Sequence, residues 1–231
     1  MVSVRTIGLV ALACLLFGGW IYLTRPSYKY RLTVDVETPD GVKSASGVYA
    51  VHLSKEGGSL RLFRSIGVRG DALVVDLPHD RKLFVTLARG NNAQATDGAV
   101  YLAENAFANA GHKASFQEMG HLKGTVPVEG TLIPTLAAFA NLNDPKTARI
   151  VAPDDLQSVF GGGYRLKGIS LTLVPVGFYP FDIGGPFGEP VTRGIAHSLP
   201  WIGSFSSYLS GRAGCDPRQE PCLQAVHFRR G

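Results

Sequence analysis

The chain has 231 residues, 45% hydrophobic and 18% charged, with 28 Gly and 14 Pro. That is too apolar for a disordered chain and lacks the triplet glycine period of collagen, while the glycine and proline content favours short strands and many turns over long helices. The net charge of +5 is scattered rather than clustered, so the charge pattern points away from nucleic acid as the main ligand.

The first element is an uncharged run, Ile7 to Leu23, bounded by Arg5 and Arg25. With Thr6 and Thr24 it makes 19 residues, which at about 1.5 Å per residue covers roughly 28 Å, close to the hydrocarbon thickness of a bilayer. Trp20 and Tyr22 stand where interfacial aromatics anchor a span, and Pro26 stops the helix just beyond it. A cleaved signal wants small residues at its end, and here the chain reads GGWIYLTRP. Cys14, followed by Leu15, Leu16 and Phe17, makes a poor lipidation site. The run is therefore expected to be a retained transmembrane helix, with Gly8, Ala11, Cys14 and Gly18 along one stripe where another membrane helix can approach closely.

Beyond the span the alternation is clean. Tyr28, Tyr30, Leu32, Val34 and Val36 share one face, and Lys29, Arg31, Thr33, Asp35 and Glu37 the other, the pattern of a strand with one wet face. Thr38-Pro39-Asp40-Gly41 predicts a tight turn into a second strand, Val42 to Leu53. Further strands are expected at Leu60–Val68, Ala72–Leu77 and Lys82–Ala88, punctuated by Gly57-Gly58, Gly70-Asp71 and Pro78-His79-Asp80. A helix is expected over Gly98 to Ala110, a strand at Val126 to Val128, and a short helix over Leu156 to Phe160, opened by Pro153-Asp154-Asp155 and stopped by Gly161 to Gly163. Tyr164 to Val174 reads as a strand. Val191, Ile195 and Leu199 suit one helix, and Trp201, Ile202, Phe205, Tyr208 and Leu209 a second that ends at Gly211. The expected fold is mainly β, a β-rich α+β chain with an antiparallel sheet or sandwich after one N-terminal transmembrane helix and with short helices in the C-terminal third. The expected division is 1–24 tail and anchor, 25–211 body, and 212–231 a tail in which Cys215 and Cys222 are spaced for a local disulfide.

Orientation draws opposite arguments. Arg25, Lys29 and Arg31 after the span would hold the body in the cytoplasm by the positive-inside rule, whereas the short N-terminal tail and the cysteine pair favour a periplasmic body on the inner membrane, which is the reading adopted. Several segments, among them Tyr30 to Val34, Thr38 to Gly41, Ala140 to Thr147, Pro153 to Leu156, Arg165 to Lys167 and Glu189 to Ile195 ending in Leu199-Pro200-Trp201, together resemble a group of small bacterial membrane-anchored proteins without assigned function. The resemblance implies no activity and no catalytic residues, and Pro175 to Gly188 looks like extra material beside it.

That extra stretch carries Phe178, Tyr179, Phe181 and Phe187 among glycines and prolines, and is the expected partner-binding surface. For chemistry, the best cluster is His112, Glu118 and His121, with Glu118 and His121 on one helix face; it lacks the H-E-x-x-H pattern of a zinc hydrolase, so no metal or other cofactor is assigned. There is no phosphate loop, dinucleotide fingerprint or nucleophile elbow, and nucleotides are not expected partners. The sequence thus points to a membrane-anchored periplasmic binding module, an accessory or structural subunit whose partners are the membrane and other membrane-protein subunits. The alternatives are a solitary envelope hydrolase using the His112 cluster, and a small-ligand or glycan-binding envelope domain with a concave pocket in its sheet.

Overall fold

The computed structural model describes residues 4–53, 66–177, 182–204 and 223–231. Helix α1 (Val4–Thr24) comes first. Pro26 is buried, the Ser27 N–H donates to Val51 O at 2.8 Å and the Leu53 N–H to Ser27 Oγ at 3.2 Å, so the chain is fixed to the body almost as soon as the helix ends.

Strand β1 (Tyr28–Thr38) pairs antiparallel with β2 (Gly41–Leu53) from Tyr28↔Val51 to Thr38↔Gly41, a two-residue loop of Pro39 and Asp40 as the sequence expects. Then come β3 (Ile66–Asp71), β4 (Leu73–Leu77) and β5 (Arg81–Arg89). Gly70-Asp71, read from sequence as a turn, closes β3, and the chain passes to the other sheet through Ala72 alone. Gly70 has φ +149°, and a Cβ there would stand 2.5 Å from the Tyr49 ring, so the corner requires glycine. Helix α2 (Gly98–Asn109) falls where the sequence puts it. The remaining elements are β6 (Gly124–Pro127), β7 (Pro134–Phe139), β8 (Ala148–Val151), α3 (Gln157–Phe160), β9 (Arg165–Val174), α4 (Ile195–Ser198), α5 (Trp201–Ser204) and β10 (Arg229–Arg230).

Two antiparallel sheets result, with strand orders β10-β3-β2-β1-β9-β6 and β4-β5-β7-β8. Tyr28, Tyr30, Leu32, Val34 and Val36 of β1 face Leu73, Val75, Leu83, Val85 and Leu136 of the smaller sheet, and α2 adds Val100, Leu102 and Phe107 to the same core. Each such side chain contributes about 1.5–3 kcal/mol of burial, an upper figure because the unfolded chain is itself partly collapsed. The smaller sheet is buried on its second face too, where Phe84 and Ala137 meet Ile195, Leu199, Trp201, Ile202, Leu223 and Phe228. Within 223–231, set apart in the sequence reading as part of a tail, Leu223, His227 and Phe228 are buried, the Ala72 N–H donates to Phe228 O at 2.7 Å and β10 pairs with β3.

Two expectations are corrected here. The helix expected through Val191, Ile195 and Leu199 is a single turn, Ile195–Ser198. Val191 lies outside it, and Gly194 stands at φ +104°, a left-handed conformation that ends any continuous helix across 191–199. Strands β7 and β8 were not expected at all. The helix expected to run on to Gly211 is described only for Trp201–Ser204, and the Leu60 end of the strand expected before Val68 also lies outside the described residues.

Along α1 the described side chains are Thr6 and 8–19, and all are exposed, including Leu9 at 68%, Leu15 at 74% and Leu16 at 67%. Among the described residues, no helix is long and apolar enough to cross a membrane. What the structure shows is therefore a 21-residue N-terminal helix with an apolar, uncovered central stretch.

Candidate functional site

The wet face predicted for β1 is half wet. Lys29 retains only 4% of its surface: its Nζ donates to Asp182 Oδ1 at 2.6 Å and to Glu189 O at 3.0 Å. Two residues along on the same face, Arg31 grips both oxygens of Glu189 at 2.9 and 3.0 Å. Asp182 Oδ2 accepts the Val191 N–H at 3.0 Å. The segment around 182–193 is thereby strapped over the outer face of the larger sheet.

The strap then joins the sheet itself. β3 pairs with β2 only from Ala50 to Leu53, and the ladder position beside Val48 is taken by Thr192, whose N–H donates to Val48 O at 2.9 Å while its Oγ1 accepts the Val48 N–H at 2.7 Å. The Thr192 carbonyl accepts the Asp71 N–H at 3.0 Å. Asp71, 2% exposed at the corner between the sheets, accepts the N–H groups of Gly194 and Ile195 at 2.8 and 3.1 Å through Oδ2, and its Oδ1 lies 3.9 Å from the guanidinium groups of Arg193 and Arg229. A buried carboxylate needs such donors, and here they hold the strap's far end.

Between strap and sheet lies a cleft of about 60 Å³ lined by Pro26, Lys29, Ala50, His52, Arg69, Val176, Asp182, Val191 and Arg193. Lys29, Ala50 and Arg69 stand side by side across β1, β2 and β3, one row in from the end where α1 joins the body. A second, open groove of about 650 Å³ runs where β8 parts from β7, with Asn91, Gln94, Thr131 and Asp154 among apolar and backbone walls. A tyrosine cluster fills the core below: Tyr30 and Tyr49 stack at 5.2 Å, and Tyr30 donates to Ala99 O at 2.7 Å. Burial raises both hydroxyls' pKa values, so they stay protonated and structural.

Of the residues singled out in sequence, Phe178, Tyr179, Phe181, Cys215 and Cys222 lie outside the described residues, and Phe187 is placed in a 3-10 turn, Gly185–Phe187, by its backbone alone. Gly8, Ala11, Cys14 and Gly18 lie along α1, exposed. His112 sits exposed in the turn after α2, while Glu118 stands just before a 3-10 turn, Met119–His121, rather than on the expected helix face. The Glu118 carboxylate is occupied by the Ser115 N–H and hydroxyl, both at 2.8 Å, which hold its pKa below the ordinary value. Among the described residues no three His, Cys, Asp or Glu side chains converge to hold a metal ion. Sequence reasoning missed Lys29, Asp71, Asp182, Glu189 and Thr192, because their partners stand far along the chain, 153 residues away in the case of Lys29 and Asp182.

The chain matches no model of a known protein family, no curated protein and no solved structure. The resemblance read from the Tyr30, Pro153 and Glu189 segments therefore rests on those segments alone.

Proposed function

We propose that the protein is a single-pass, membrane-anchored binding module whose β-sandwich sits directly on the membrane surface and serves as an accessory or structural subunit of a larger membrane complex. The observation that carries this is the contrast within α1: leucine, valine and phenylalanine side chains stand more than half exposed around it. In water such a surface is costly, whereas in lipid it is the expected solvent. Only Arg25 and Pro26 separate α1 from the fixed Ser27, so the body has little freedom to leave the bilayer surface. The body is assigned to the periplasmic side of the inner membrane, on the argument from Cys215 and Cys222.

The partner-facing residues in this reading are Phe178, Tyr179, Phe181 and Phe187. The described residues that follow Phe181 are fixed to the sheet by the Asp182–Lys29 and Glu189–Arg31 ion pairs. Purification of the tagged full chain in mild detergent should bring a membrane subunit with it, and replacing Phe178, Tyr179, Phe181 and Phe187 by Ser should release that subunit. Undiminished co-purification would remove these residues from the reading. Carbonate-washed membranes should retain the full chain, and recovery in the soluble fraction would remove the anchor.

The groove beside β7 and β8 favours a second reading, a small-ligand or glycan-binding envelope domain. Its volume is that of a ligand pocket, and amides, hydroxyls and one carboxylate line it. A saturable shift of backbone resonances at Thr131 to Leu136 on adding envelope glycan fragments would support it, and their constancy would oppose it.

A further inference from the structure

We infer that the cleft between the strap and the larger sheet is a binding site for a phosphate group presented at the membrane surface. The lining gives the chemistry. Lys29, Arg69 and Arg193 are three cationic residues in its lining, together with His52, against one acidic residue, Asp182. Both oxygens of that carboxylate are engaged, one by Lys29 and the other by the Val191 N–H, and the nearby Glu189 is held by Arg31. Arg193 spends part of its donor set on Arg230 O and Gly231 O, at 3.3 and 2.8 Å, and its guanidinium is partly balanced by the buried Asp71, whose Oδ1 lies 3.9 Å away. Arg69 is exposed, and among the described residues no Asp or Glu pairs with it. The surplus charge is therefore concentrated at Arg69, whose planar fork suits a phosphate better than a point charge does.

Size and place narrow the ligand. A bound water needs about 10–15 Å³ of such space, so a cleft of about 60 Å³ takes a group of a few heavy atoms and excludes a whole sugar or nucleotide. Pro26 forms part of the wall two residues after α1 ends, which puts the cleft at headgroup depth if α1 is the anchor; the lipid form of this inference rests on that reading. The shared chemistry is a phosphate, carried either by an anionic lipid headgroup or by a free phosphate ester.

The test uses the full chain in two settings. In neutral detergent, inorganic phosphate and glycerol phosphate are titrated by calorimetry. In nanodiscs of phosphatidylcholine mixed with phosphatidylglycerol, native mass spectrometry counts the lipid retained. Arg69→Gln should weaken the interaction about tenfold, the loss of one charge-assisted hydrogen-bonding pair, with an unchanged melting curve because Arg69 is exposed. Arg193→Gln is a second variant that should act in the same direction. Retention of phosphatidylglycerol alone would identify the headgroup, saturable binding of glycerol phosphate alone would identify a free ester, and both together would identify the phosphate group as such. Absence of saturable binding in both settings, or wild-type binding by folded Arg69→Gln and Arg193→Gln, would overturn the inference. Failure of the anchor itself shows separately, as protein outside the nanodiscs, and leaves the calorimetric result standing.

Discussion

Helix α1 and the four-stranded sheet are the two regions where apolar residues run without the relief of alternating polar ones, and the chain treats them in opposite ways. Leu83, Phe84, Val85, Leu87 and Ala88 of β5 are covered by protein on both faces of the sheet, with Phe84 at 0% exposure. Phe84 meets Phe139 and Phe228 edge to face at 5.2 and 6.2 Å, and Trp201 extends the aromatic cluster through Phe139 and Phe228. In α1, Leu12, Leu15, Leu16 and Phe17 are 53 to 74% exposed. An apolar run thus states that a surface must be kept from water, and leaves open whether the chain itself or another phase covers it.

Substitution separates the two kinds of cover. Phe84→Ala should cost about 3–5 kcal/mol, because the cavity opens between two faces of packed aromatics that cannot both collapse into it. Thermal unfolding of the body reads this directly, and a loss below about 1 kcal/mol would mean that the second layer is not a true core. Leu12→Arg in α1 should leave the same melting curve unmoved. With α1 as the anchor proposed above, it should instead remove the chain from carbonate-washed membranes, since a charge near the middle of a span costs about 2.5–3.5 kcal/mol on insertion scales. If Leu12→Arg lowers the melting point instead, α1 is covered by protein and the contrast collapses.

A smaller effect tests how the second face of the four-stranded sheet is closed. His227 lies buried beside Phe228, its Nδ1 accepting the Gln224 N–H at 3.1 Å. Burial, helped by Arg230, pushes its pKa down from 6.5 to about 4. The folded state thus holds the neutral ring, and the unfolded chain takes up the proton first. Stability from this group is complete above pH 6.5, declines at up to about 1.4 kcal/mol per pH unit as pH falls toward 4, and levels off below that. The difference in denaturant stability between wild type and His227→Gln should carry this slope. A difference that does not change between pH 7 and pH 4 would place the ring outside the closed layer.

How much of this was legible followed from how local the cause was. β1 could be read to within a residue because its alternation repeats over ten positions and its hairpin loop carries Pro and Gly where a turn needs them. Helix α3 and its stop could be read because Gly161 takes φ +94°. β7, reading PTLAAF, was not, since its first five residues are buried whichever face they occupy and no period survives. The spacing of Val191, Ile195 and Leu199 misled for a related reason: all three are buried, but an extended strap and one helical turn share the task. The strap's ion pairs and the cleft beneath it had no local signal, because Lys29 reads in sequence as one more polar residue on a wet face and its burial is decided by Asp182 and Glu189.

The smallest effects grade the sheet's outer face by the same criterion of cover. Arg165 and Glu37 form a pair at 2.5 and 2.9 Å, yet the Arg165 side chain is 74% exposed. Water and salt screen such a pair, and Arg165→Ala should cost no more than about 0.5 kcal/mol, an effect that salt abolishes. Lys29 sits under the strap at 5% side-chain exposure against an Asp182 that is 39% exposed. Removing its charge in Lys29→Met should cost more, about 1–2 kcal/mol, and part of that cost should survive high salt, because Asp182 and the Glu189 carbonyl lose a donor that water only partly replaces. Denaturant titrations of both variants at low and high salt decide the point. Equal costs that vanish together in salt would mean that the strap does not exclude water from Lys29, and the cleft would then be an open surface rather than a site.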